Sequence, residues 1–119
     1  MQFSLPELPE PGPGEKGPYC VIAIHYAMPD RADAYEQRMM ADLEMTRAEP
    51  GALQFHIHRD RSNTNRFVIY EVWKDISALR DFFQKRYVQQ FFADTAQYLD
   101  RKWETEWLVM TSPYSPGKQ

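Results

Sequence analysis

Apolar and polar side chains alternate over two stretches in the middle of the chain. Leu53, Phe55 and Ile57 alternate with Gln54, His56 and His58, and Phe67, Ile69, Glu71 and Trp73 alternate with Val68, Tyr70 and Val72. A period of two predicts strands over Ala52–Arg59 and Arg66–Trp73, joined by the polar connection Asp60–Asn65. Pro50-Gly51 stops whatever precedes this hairpin, and Asp75 is placed to cap a helix after it. Upstream, Tyr19–Tyr26 is a short apolar run that reads as a buried strand, ended by Pro29. Asp30 can then cap a helix with Asp33 in its first turn, where the dipole favours an acid. Tyr35, Met39 and Leu43 recur at helical spacing with Ala32 completing the stripe, and Arg47 suits the C-terminal end. Downstream, Leu79, Phe82, Phe83, Phe91, Phe92, Tyr98 and Leu99 mark a second helical region, with a bend expected near Arg86–Val88. Trp103, Thr105, Trp107 and Val109 alternate with Lys102, Glu104, Glu106 and Leu108, which predicts a last strand. The order is βαββαβ, an α+β ferredoxin-like arrangement with a four-stranded antiparallel sheet.

The ends of the chain are of a different composition. Residues 1–18 hold five prolines and three glycines, which deny backbone donors and raise chain entropy, so they read as an arm and not as a packed element. A sharper reading has Phe3 and Leu5 dock across a partner subunit. Residues 19–110 form the folded domain, and 111–119, with Pro113 and Pro116, form a tail. At 119 residues there is room for one core. A net charge of −3 argues against nucleic acid as a partner. No apolar run approaches the roughly 20 residues of a membrane span, and no secretory leader is visible. Cys20 is the single cysteine, so no internal disulfide forms and a cytoplasmic home is expected. No histidine sits beside it in sequence, and it reads as core.

Two helices cover only one face of a four-stranded sheet. The face carrying Val68, Tyr70 and Val72 is too apolar to leave in water. Packing two sheets face to face resolves this, so a homodimer is expected.

Motifs alone name no reaction. The three histidines and the cysteine lack zinc-ligand spacing, and neither a glycine-rich phosphate loop nor a nucleophile elbow occurs. His56 and His58 share a face, but two ligands are too few for a metal, and they read as hairpin or sheet-interface residues. What remains is an apolar, aromatic-rich cleft between sheet and helices, suited to a flat aromatic ligand.

The Pro50-Gly51 turn, His58-Arg59-Asp60, the Asn65-Arg66-Phe67-Val68 start and the Tyr70-Glu71-x-Trp73 end together resemble the antibiotic biosynthesis monooxygenase family over about Tyr19–Met110. The resemblance implies a dimeric α+β barrel. It further implies oxidation of a small phenolic or quinol substrate by molecular oxygen, with no metal or flavin cofactor. The substrate then supplies the electrons, and the protein need only bind the ring, stabilise its anion and exclude water. A non-catalytic binding module, or an isomerase, on the same scaffold is the alternative.

Trp73 stands where the family keeps a pocket tryptophan, as a wall with an indole donor or as a core aromatic. Glu71, on the same face, is a base with a raised pKa, or else a carboxylate paired with arginine or facing water at an edge. His25 shares a face with Val21 and Ala23, as a base or a structural histidine. Ile69, Tyr35, Phe83 and Tyr87 either line the cleft as substrate-binding residues or pack the core. Asp60 and Arg66 are placed to clamp the hairpin loop. Many family members carry His-Phe where this chain has Tyr87-Val88. No histidine follows His58, and no asparagine lies between Tyr19 and Tyr26, so the haem-degrading branch is disfavoured.

Overall fold

The computed structural model describes residues 5–117. Strands β1 (Tyr19–Tyr26), β2 (Ala52–Arg59), β3 (Arg66–Trp73) and β4 (Glu104–Val109) form one antiparallel sheet in the order β2-β3-β1-β4. Helices α1 (Ala32–Ala41) and α2 (Leu43–Arg47) connect β1 to β2, and α3 (Ile76–Gln84) and α4 (Arg86–Asp94) connect β3 to β4. This is the expected ferredoxin-like fold. The Phe3 reading lies outside the described residues.

The two central strands place the site. Val21 pairs with Glu71, Ala23 with Ile69 and His25 with Phe67, so these side chains share the helix-covered face. Phe55 and Ile57 of β2 pack against that core. Leu53 does not join them: a register shift between Ala52 and Gln54 puts Ala52 on the core side, and the Leu53 carbonyl accepts from Tyr114 Oη at 3.3 Å.

The helices begin and break at different residues from those the periodicity suggested. Asp30 is not the cap; Arg31 holds that position with no side-chain hydrogen bond. The first helical stretch divides at Asp42, and the buried stripe runs Ala32, Tyr35, Met39 and then Thr46 in place of Leu43. The second divides at Lys85, whose extended backbone (φ −67°, ψ 139°) ends α3 just ahead of the expected bend. Asp75 does cap α3, accepting from the Ala78 N–H at 2.8 Å. Asp60 and Arg66 close the hairpin loop at 3.1 Å, and the Asp60 carboxylate also accepts from Ser62 and Asn63 N–H.

Ion pairs, one of them local to α1, tie the helices to each other and to the sheet. Arg38 bridges Asp42 at 2.9 Å and Asp94 at 3.3 Å, tying α1 to α4, and Arg59 ties β2 to α1 through Asp33 at 2.9 Å. The opposite sheet face carries Ile22, Ile24, Val68 and Tyr70, all half-buried, with Leu108 exposed. Cys20 and Val72 on this face are buried, near where the tail reaches Leu53. Among the described residues no helix is long and apolar enough to cross a membrane.

Candidate active site

Between the helix-covered sheet face and the helices lies a cleft. Its floor is Val21, Ala23, His25, Ile69 and Glu71, with Phe55 and Ile57 at one side and Thr105 and Trp107 at the other. Its roof is Met39, Asp42 and Thr46 from α1–α2, and Phe82, Phe83, Tyr87 and Phe91 from α3–α4. Its volume is about 90 Å³. An apolar cavity of ~150 Å³ admits benzene, and sites for drug-sized ligands reach several hundred Å³. In this conformation the cleft is therefore smaller than a ring-bearing ligand needs, and a wall must move for such a ligand to enter.

Glu71 is the one carboxylate on the floor. It stands on an interior strand, ruling out a solvent-facing edge position, and no ion pair reaches it among the described residues. Oε1 accepts from the Trp73 indole N–H at 2.8 Å. Burial among apolar walls pushes its carboxyl up from 4.5 to about 7, partly offset by the indole hydrogen bond. Its remaining accessibility opens onto the cleft that it lines. A carboxylate in that range takes a proton from a phenol-like group more readily than an ordinary carboxylate does, and it still releases the proton near neutral pH.

Trp73 does not form the cleft wall suggested by its sequence position. It is fully buried behind the cleft, packed on Phe82 at 4.7 Å between ring centroids, and its one N–H is taken by Glu71. Tyr35 is also fully buried and does not line the cleft. Its hydroxyl lies 2.6 Å from His25 Nδ1, and its ring stacks with the imidazole. Burial drives His25 down from 6.5 to about 3 and raises the Tyr35 phenol, so both are neutral. We assign the phenol as donor to Nδ1, which leaves Nε2 carrying the proton. In this tautomer His25 is a hydrogen-bond donor and not a base.

Ile69, Phe83 and Tyr87 do line the cleft. The Tyr87 hydroxyl donates to Glu49 Oε2 at 3.3 Å, and burial lifts the phenol to about 12, so it stays protonated. Glu71 and His25 lie at opposite ends of the floor. Glu71 pairs with Val21, four residues from His25, or about 13 Å along the strand. Both cannot act on one atom. Residues that the sequence did not flag include Thr46, Trp107 and Pro6. The period-two reading of the last strand already put Trp107 on a face with Thr105. Thr46 fell outside an apolar stripe, and Pro6 lay in a segment with no periodicity.

The sequence pattern of one family, described as antibiotic biosynthesis monooxygenase, matches residues 18–94. The chain belongs to this family. The architecture agrees with solved structures of its kind. A Pseudomonas aeruginosa protein superposes with a TM-score of 0.75 at 28% identity, covering 81% of this chain and 96% of that one. A Nitrosomonas europaea protein, provisionally named an antibiotic biosynthesis monooxygenase, superposes at 0.76 with 18% identity over 82% and 93%, which speaks for the fold alone. An uncharacterised Synechocystis protein is 29% identical over 86 residues, 72% of this chain. The chain spans 58% of the length of that curated relative.

Proposed function

We propose that this member of the antibiotic biosynthesis monooxygenase family is a cofactor-independent monooxygenase acting on a small aromatic quinol. The observation that carries the reading is Glu71, a carboxylate on the floor of an apolar aromatic cleft, with one oxygen fixed by the Trp73 indole. Glu71 takes the phenolic proton of the bound quinol. The resulting anion gives one electron to dioxygen, and the radical pair recombines to a peroxide that collapses to product. A quinol and O2 become a hydroxyquinone and water, with one oxygen atom in each, so no external reductant is consumed. Ile69, Phe83 and Tyr87 hold the ring and keep water from the anion. His25 Nε2–H supplies a hydrogen bond to a second oxygen at the far end of a longer ligand. Trp73 and Tyr35 act behind the wall as positioning residues.

The reading extends to assembly and location. The half-buried Ile22, Ile24, Val68 and Tyr70 supply an apolar face of the kind that two copies pack together, which supports a homodimer. The buried free thiol of Cys20 suits the reducing cytoplasm.

The test is oxygen uptake by the metal-stripped protein with a panel of hydroquinones and dihydroxynaphthalenes. Saturable uptake that Glu71→Gln abolishes supports the reading. Uptake no faster than autoxidation across the panel overturns it, and turnover that persists without oxygen would assign an isomerase instead.

A further inference from the structure

One side of the cleft is closed by the N-terminal arm. Pro6 lines the cavity beside Thr105 and Trp107 of the edge strand β4. Leu8 packs against the cluster of Val21, Trp73, Leu79 and Phe82 under the same cleft. Gly14 and Gly17 lie on the path from the arm to β1 with φ of +75° and +77°, a conformation that side chains resist. At Gly17 a Cβ would also stand 2.7 Å from the Lys74 carbonyl oxygen and 3.0 Å from the Tyr19 ring. The close return of the arm onto the domain is thus built on glycine.

A second cavity lies between the arm and β4, bounded by Pro6 and Glu7 on one side and Lys102, Trp103, Thr105 and Trp107 on the other. The arm therefore leaves open space between Pro6, Glu7 and the neighbouring strand.

The main cleft, at about 90 Å³, is too small for a ring-bearing ligand unless a wall gives way. The floor is a continuous hydrogen-bonded ladder, and the helical roof is tied across by Arg38 to Asp42 and Asp94. Residues 5–11 belong to no helix or strand. The arm is the side that opens at least cost.

We propose that the N-terminal arm is a displaceable wall of the ligand site: ligands enter past Pro6, and Pro6 and Leu8 determine how large a ring system the cleft accepts. This rests on the cleft being the ligand site and not on the reaction being an oxidation.

The experiment uses the full chain and two product-like probes, 1,4-naphthoquinone and anthraquinone-2-sulfonate. Binding is followed by stopped-flow quenching of tryptophan fluorescence, since Trp103 and Trp107 line the cleft. Leu8→Asp releases the arm by placing a charge in its apolar seat. Pro6→Gly removes the ring from the wall but keeps the Leu8 anchor. If the open arm is a minor state near 10%, Leu8→Asp tightens naphthoquinone binding by about tenfold and speeds its association to match. Anthraquinone-2-sulfonate, weak on the natural chain, gains more from either substitution. Both variants showing the natural chain's rates and size preference would overturn the proposal, as would failure of every chain to bind either probe. Oxygen uptake absent from all chains, with these binding differences intact, would remove the monooxygenase reading and leave the wall in place.

Discussion

Glu71 and His25 should leave opposing marks on the pH dependence of stability. The folded chain keeps a proton on Glu71 up to about pH 7, whereas the unfolded chain releases it near 4.5. Its contribution is therefore full below 4.5 and is lost as pH rises towards 7, a total of about 3 kcal/mol. His25 works the other way. The unfolded chain binds a proton near 6.5 and the folded chain only near 3, so its contribution is full above 6.5 and is lost as pH falls. Each group alone imposes a slope of up to about 1.4 kcal/mol per pH unit. Between pH 4.5 and 6.5 the two slopes oppose, and the pair leaves the natural chain nearly flat. Glu71→Gln should expose the histidine, losing roughly 3 kcal/mol on acidification across that window. His25→Asn should expose the carboxyl and gain a similar amount. Because the two groups are about 13 Å apart along the sheet, the double variant should return to the flat profile. Guanidinium unfolding at half-unit pH steps and fixed protein concentration measures all four chains. Comparing slopes, not absolute values, removes the cost of the lost Tyr35 hydrogen bond. A Glu71→Gln profile parallel to the natural one would refute the buried, protonated carboxyl and with it the base.

Trp73→Phe keeps the ring but removes the donor, so the Glu71 pKa should rise further, and the acidic limb of the oxygen-uptake profile should move to higher pH. An unmoved limb would mean that the indole does not tune the carboxylate. Gly51→Ala should lower stability by about 1–3 kcal/mol, because the new Cβ overlaps the Cβ of Ala78, and adding Ala78→Gly should restore part of it in thermal unfolding. The proposed homodimer is tested by Tyr70→Asp, which puts a charge on the outer sheet face: analytical ultracentrifugation should show a dimer for the natural chain and a monomer for the variant, and a monomeric natural chain would refute the dimer. The cleft-facing residues are untouched, so an intact dimer would place the interface elsewhere.

The bounds of the hairpin strands and of the first strand were legible because alternation, the Pro50-Gly51 turn and a short apolar run mark them directly, although the bulge that turns Leu53 off its expected face was not. Where tertiary packing decides, the pattern was less informative. The breaks at Asp42 and Lys85 contain neither glycine nor proline, and the apolar Leu43 yields its buried place to Thr46 only because the chain turns there. Within the site, shared faces followed from period two, so Glu71 could be grouped with Ile69, and His25 with Val21 and Ala23; that the two groups face the same way came from the strand register. That rule does not report depth. It placed Trp73 beside Glu71, but that its indole is turned back to the carboxylate and buried under Phe82 depends on α3, which no local pattern encodes. Pro6 was invisible for a related reason: the arm reaches the cleft across more than a dozen residues without any periodic signal.

Strand β3 turns its odd-numbered residues to the helix-covered face, where Ile69 and Glu71 line the cleft, and its even-numbered ones to the outer face. Eight consecutive codons therefore encode two surfaces that never touch. Substitutions at 69 and 71 can reshape the cleft while 68, 70 and 72 leave the outer face as it is, so the two surfaces can diverge independently. A single-residue insertion or deletion within the strand would exchange the two sets at one stroke, so diversification along β3 should proceed by replacement and almost never by a change in length.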